Sequence, residues 1–151
     1  LTKQPINANT KDAAFQDPSL QSDKKAEWVQ VPYAGKEKPG HLSHHSAVMY
    51  NDKMYVFGGN VQNFSQESIV AGSLKGQFPS LYALDMKTMK FEAVFARGDV
   101  PSHRDEHTAV IYENSMVIFG GFEYSGERVN EIFRYFFSEN KWEKVMVMGG
   151  E

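Results

Sequence analysis

The sequence predicts an all-β fold built from repeated four-stranded antiparallel sheets. Two observations predict it: an internal repeat, and strand-type patterning inside each copy. Residues 45–59 read HSAVMYNDKMYVFGG and residues 107–121 read HTAVIYENSMVIFGG, an offset of 62. Self-similarity of this kind marks one supersecondary unit copied along the chain. Such a unit cannot bury its apolar faces alone and stacks on its neighbours.

Each copy divides into four short runs. Residues 45–50 and 53–57 flank Asn51-Asp52, and residues 107–112 and 115–119 flank Glu113-Asn114. Two-residue connections between apolar runs read as tight hairpins, whose turns need the left-handed conformation that Asn and Asp tolerate. The second runs, Met54-Tyr55-Val56-Phe57 and Met116-Val117-Ile118-Phe119, are apolar at every position. Such a strand is buried on both faces. Gly58-Gly59 and Gly120-Gly121 follow, and glycine permits a sharp exit and close backbone approach. The third runs are Leu81-Tyr82-Ala83-Leu84 and Ile132-Phe133-Arg134-Tyr135. The fourth open on Phe91 and Trp142 and carry Glu92 and Lys144 among apolar neighbours, the pattern of an outer strand with one wet face. Trp28-Val29-Gln30-Val31 is a third version of that outer strand, without its own first three.

Several of these residues stand at fixed spacing. Pro101, Arg104 and His107 form P-x-x-R-x-x-H, Met116 to Gly121 is an apolar run closed by Gly-Gly, and Tyr135 and Trp142 form Tyr-x6-Trp. Together they resemble a kelch repeat, a unit of about 50 residues that folds as one blade of a β-propeller. The second copy fits closely. The first departs, with Leu42 for Arg, Leu84 for Tyr and Phe91 for Trp, and its stretch from Gly59 to Leu81 is longer than its counterpart. The resemblance implies a partial kelch-type propeller over residues 27–151: an outer strand of a neighbouring blade at 27–33, a blade at 45–95 and a blade at 107–148. Trp28, His45, Gly58, Gly59, Phe91, Arg104, His107, Gly120, Gly121, Tyr135 and Trp142 are its structural repeat positions. One strand plus two blades falls short of the four to eight blades that close a ring. The sequence therefore reads as a piece of a larger ring, its remaining blades in the same or another chain. A ring of several two-blade copies is disfavoured by the surplus strand.

Composition is that of a globular domain, with 41% hydrophobic and 23% charged residues. A net charge of −3 without a basic stripe removes the electrostatic footprint of nucleic-acid binding. No apolar run reaches the length of a membrane span. There is no cysteine, hence no disulfide framework, which leans toward a cytoplasmic setting. Residues 1–26 are polar and read as an extended or disordered lead-in.

The first strand of a blade starts at the end where the second finishes, so the loops at 36–44 and 99–106 lie beside those at 60–80 and 122–131. In kelch-like proteins this face commonly binds the partner. The resemblance places Asn60, Asn63, Phe64, His103, Asp105, Glu123, Tyr124 and Arg128 there as candidate partner-binding residues. Aromatic and Arg side chains are typical anchors of protein interfaces. The histidines cluster, but His45 and His107 share one repeat slot, which a structural role explains without a metal; none is expected, nor any other cofactor. Arg104, with five donors, is expected to bridge between blades. No nucleophile–base set assembles, so catalysis is not expected. Two functional classes follow. The first is a non-catalytic protein-interaction module, a scaffold or substrate receptor with cytoskeletal links implied by the resemblance. The second is part of a propeller enzyme similar to galactose oxidase, whose copper site needs a cysteine–tyrosine cross-link and would lie in other blades.

Overall fold

The structure, a computed structural model, describes residues 28–33, 39–61 and 80–147. The chain divides into two compact units, Leu1–Val31 and Pro32–Glu151. In the first, only residues 28–31 are described, and they form no strand. Over 27–33, where the sequence predicts an outer strand, residue 27 lies outside the described residues and 28–33 form no strand among them. A strand requires a hydrogen-bonded neighbour, and the expectation assigns that neighbour to another blade.

The second unit is all β among its described residues. β1 (Leu42–Ser43), β2 (Ser46–Tyr50), β3 (Lys53–Phe57), β4 (Asn60–Val61), β5 (Leu81–Asp85) and β6 (Lys90–Val94) make up the first repeat. β7 (Arg97–Gly98) connects onward. β8 (Arg104–Asp105), β9 (Thr108–Tyr112), β10 (Ser115–Phe119), β11 (Phe122–Glu123), β12 (Ile132–Phe136) and β13 (Lys141–Val145) make up the second. The first sheet has the order β2-β3-β5-β6, and the second β7-β13-β12-β10-β9. All neighbours are antiparallel except β7, which runs parallel to β13. Two ribbons, β1–β4 and β8–β11, cap one end of each sheet; the sequence pattern did not anticipate them because each strand has two residues.

The turns follow the sequence signals. Asn51 and Asp52 both take the left-handed conformation, with φ of 46° and 60°, as the first hairpin requires. In the second hairpin Glu113 takes it, with φ of 51°.

The pairing register sets which side chains share a face. In the first sheet Val48, Tyr55 and Ala83 form one row, and Ser46, Phe57 and Leu81 the next. In the second, Ile111, Met116, Tyr135 and Trp142 form one row, and Ala109, Ile118 and Phe133 the next. These two faces meet. Val48, Phe57, Leu81, Met116, Ile118, Phe133, Tyr135 and Trp142 make one buried cluster. The Phe57 ring lies 5.2 Å from Trp142 and 5.0 Å from His107, Tyr55 lies 4.6 Å from Phe137, and Tyr50 stacks on Phe137 at 4.0 Å. Each large apolar side chain buried there contributes about 1.5–3 kcal/mol. The seam between sheets is thus the core of the unit. The connection at 95–99 clasps the second sheet's outer edge: Asp99 N–H donates to Trp142 O at 3.0 Å, and Asn140 Nδ2 donates to Phe95 O at 3.0 Å.

Candidate partner-binding face

Strand direction sorts the connections into two ends. The turns at 51–52, 86–89, 113–114 and 137–140 lie at one end, where Met86 N–H donates to Asp52 O. The two ribbons and the loops around residues 99–107 and 120–131 lie at the other, which is where the candidate residues were expected.

At that end the second repeat is held by Arg104, whose side chain is fully buried. Its Nη2 donates to Glu123 Oε1 at 2.8 Å, Glu131 Oε2 at 3.1 Å and Ser102 Oγ at 2.8 Å, its Nη1 to Gly120 O at 3.3 Å and its Nε to Ser102 O at 3.2 Å. Ser102 Oγ in turn donates to Glu123. Lys144 closes on Glu131 at 2.5 Å, and its bond, with that of Arg104, holds the Glu131 carboxyl below its ordinary range. A buried guanidinium requires such complete pairing. The expectation that Arg104 bridges blades through its donors is corrected: all these partners belong to its own repeat. What crosses the seam is its main-chain carbonyl, which accepts from Gly59 N–H at 2.9 Å.

The first repeat carries none of these charges at the matching positions. Leu42 pairs with Val61 where Arg104 pairs with Glu123, and Ser80 stands where Glu131 does. Gly58 N–H donates to Ser80 O as Gly120 N–H donates to Glu131 O, which fixes the correspondence. The cation and both carboxylates are exchanged as a set.

The Gly58-Gly59 exit is where the second repeat grips the first. His103 Nε2 donates to Gly59 O at 2.9 Å, and Tyr124 Oη donates to the same oxygen at 2.8 Å, with their rings stacked at 4.6 Å. His107 Nε2 and Ser46 Oγ share a 2.7 Å hydrogen bond across the seam. The Nδ1 atoms of His103 and His107 are buried without a hydrogen-bond partner. Burial, then the nearby charges of Arg104, His103 and His45, pull His107 down to about 4. Burial also lowers His103, against its bond to Gly59 O and the charge of Asp105. Both imidazoles are thus pushed toward the neutral form. Among the described residues no group of three or more His, Cys, Asp or Glu is arranged to hold a metal. His45, in the slot of His107, is exposed.

Of the eight candidate residues, His103, Asp105 and Tyr124 are thus buried, and His103 and Tyr124 act as seam residues. Burial and the neighbouring Glu106 charge raise the Asp105 carboxyl. Glu123 is half-buried on Arg104. Asn63 and Phe64 lie outside the described residues. Asn60 and Arg128 are exposed. Arg128 projects from a tight hairpin in which Glu123 N–H donates to Glu127 O at 2.8 Å and Gly126 N–H to Glu123 O at 2.9 Å. Its guanidinium lies 5.5 Å over the Phe122 ring and 3.2 Å from Glu106. Sequence reasoning missed Ser46 and Glu131 and the carbonyl of Gly59. Aligning Leu42, Val61 and Ser80 against Arg104, Glu123 and Glu131 is the signal that finds Glu131.

Comparison with known proteins agrees with this architecture. The KLHDC2/KLHL20/DRC7 Kelch-repeats domain model matches residues 8–151. The chain is similar to the Leucine-zipper-like transcriptional regulator 1 homolog of Drosophila melanogaster, 27% identical over 124 residues, covering 77% of this chain and 11% of that protein. It is also similar to Host cell factor 2 of Homo sapiens, 33% identical over 97 residues, covering 60% of this chain and 11% of that protein. The chain spans about a tenth of the length of these relatives. The solved structure of YjhT has the same fold over 73% of this chain and 28% of its own, with a TM-score of 0.51 at 23% identity. With the family model matched over nearly all its length and both repeats folded as adjoining sheets, the chain belongs to the Kelch-repeat family.

Proposed function

We propose that the chain is part of a non-catalytic protein-interaction module, a kelch-type propeller that presents the ribbon end of its sheets to a protein partner. The carrying observation is the hairpin at 122–128. Its first arm is locked on the buried Arg104 through Glu123, while its returning arm presents the exposed Arg128, paired across from Phe122 and lying over its ring. A rigid scaffold under an exposed Arg–aromatic pair is the arrangement that binds with little ordering cost. The similarity to a protein named a transcriptional regulator supports the same class. In this reading further sheets of the same repeat, in this or another polypeptide, flank the two described here, and the scaffold or substrate-receptor role belongs to the assembled ring.

The test is quantitative affinity purification from cells that make the protein, comparing wild type with Arg128→Glu and with Lys87→Ala, which lies at the opposite end beside Asp52. The reading expects specific partners to be lost from Arg128→Glu and kept by Lys87→Ala. Identical partner sets for all three would overturn it. Tyr124 is unsuited to this test, because its hydroxyl serves the seam.

A further inference from the structure

We propose that the aromatic rings from Trp142 to Tyr50 form a path that carries oxidising equivalents out of the seam, which makes Tyr50 a site of one-electron oxidation and of tyrosine–tyrosine cross-linking. The path ends beside the turn at 51–52, at the opposite end of the sheets from the ribbons, and is independent of the binding reading.

Four oxidisable rings follow one another across the seam. Trp142 lies 5.1 Å from Tyr135, and Tyr135 lies 6.2 Å from Tyr55. The last step runs through Phe137, whose ring is 4.6 Å from Tyr55 and stacks on Tyr50 at 4.0 Å with 7° between the planes. These are the spacings of interacting rings. Electron transfer weakens steeply with the gap between donor and acceptor, so rings in contact pass an electron readily. Trp142 and Tyr135 belong to the second sheet, Tyr55 and Tyr50 to the first, so the path exists only because the two repeats pack. The other copies of these slots do not repeat it. In the first repeat Leu84 and Phe91 stand in the slots of Tyr135 and Trp142, and neither is oxidised under the same conditions. In the second repeat Tyr112 stands in the slot of Tyr50, but Val117 stands in that of Tyr55.

Proton release decides where the oxidation comes to rest, because a tyrosine that loses an electron also gives up its phenolic proton. Tyr135 is buried, which pushes its hydroxyl up to about 12, and it donates to Asn140 Oδ1 at 2.9 Å, an amide oxygen that takes no proton. Burial raises the Tyr55 hydroxyl as well. Tyr50 stands at the rim, where its hydroxyl donates to Asn114 Oδ1 at 3.3 Å within reach of solvent. A one-electron oxidant therefore takes an electron from Trp142, an electron moves from Tyr50 through Tyr55 and Tyr135 to restore the indole, and the Tyr50 proton leaves to water. Two Tyr50 radicals on separate chains then join through a carbon–carbon bond beside their hydroxyls, with the displaced ring hydrogens moving to the phenoxyl oxygens. An oxidation that would damage Trp142 in the core ends instead at the surface.

Laser photoionisation of the full chain tests the path. Excitation at the red edge of the indole band spares tyrosine, and a cobalt(III) ammine takes up the ejected electron. Trp28→Phe removes the other tryptophan, which is fully exposed, and leaves Trp142 as the sole indole. In that background the Trp142 radical should decay as a tyrosyl radical grows, and mass spectrometry should find dityrosine at Tyr50. Tyr50→Phe, which keeps a ring against Phe137, should lose the cross-link and lengthen the life of the Trp142 radical. Tyr135→Phe, which keeps the ring and removes the phenol, should do the same. Tyr112→Phe, at a residue 57% exposed and off the path, should change neither. A Trp142 radical whose lifetime ignores Tyr50→Phe or Tyr135→Phe overturns the proposal, and so does a cross-link formed at Tyr112 in place of Tyr50. Near-ultraviolet circular dichroism of each variant checks that the seam is intact.

Discussion

Single residues at the Gly-Gly exits show how one repeat position acquires different duties. Gly58 and Gly120 share a slot, and both have positive φ, 62° and 67°. A Cβ on Gly58 would lie 2.2 Å from Arg104 O and 2.9 Å from His107 Cε1, both in the neighbouring repeat, whereas one on Gly120 would meet only Val129 O at 3.2 Å. The left-handed strain costs about 1–2 kcal/mol at either site. Only Gly58→Ala also wedges the seam, so it should lose about 3 kcal/mol or more in denaturant unfolding, and Gly120→Ala about 1–2. Equal losses would show that the close approach is without consequence. His107 provides a second test. Its ordinary value is 6.5 and its folded value about 4, so between those pH values the unfolded chain takes up a proton that the fold refuses. Its contribution is therefore full above pH 6.5 and shrinks by about 3 kcal/mol as pH falls to 4. Urea midpoints measured at pH 7 and pH 4.5 should diverge in the wild type, and the gap should narrow in His107→Gln, which keeps a polar group near Ser46.

Among the elements, the β8–β11 ribbon holds a charged cluster where the β1–β4 ribbon has uncharged residues at the same positions. The β1–β4 ribbon has the same register with Leu42 and Val61, and Ser80 replaces the second carboxylate. Arg104→Leu alone removes the cation of Glu123 and leaves Glu131 to Lys144 only, and the expected loss is about 3–5 kcal/mol. The triple change Arg104→Leu, Glu123→Val and Glu131→Ser copies the first repeat and should recover most of it, as thermal unfolding would show; a triple variant as unstable as the single one would refute this equivalence. The eight main strands and both tight hairpins were legible in the sequence, because short apolar runs bounded by turn residues such as Asn51-Asp52 are local signals and the repeat displays each run twice. The partners of Arg104 were not. Its motif spacing said that the residue matters, but its acceptors Glu123 and Glu131 lie 19 and 27 residues onward and meet it only through the ribbon. The same limit applies to the loop face: His103 and Tyr124 look like exposed polar and aromatic loop residues, and only the close approach of Gly59 shows that they are seam residues.

For the whole molecule, stability is a sum of sheet and seam terms, as in other repeat proteins, and only one seam is formed between the sheets described. Equivalent residues therefore carry unequal weight. Phe57 packs on Trp142 and His107, while Phe119 in the same slot is half-exposed. Phe57→Ala should cost about 3–5 kcal/mol, the ordinary loss for a buried aromatic ring. Phe119→Ala in the 151-residue chain should cost about 1 kcal/mol or less. The comparison becomes decisive when repeated in a longer natural polypeptide containing these residues. If a further sheet covers the second, Phe119 acquires the surroundings of Phe57, and its truncation cost should rise toward the same 3–5 kcal/mol, with hydrogen exchange of β9 slowing in parallel. If the cost of Phe119→Ala stays small there, the second sheet is a true end of the stack, and its apolar face calls for an occupant of another kind.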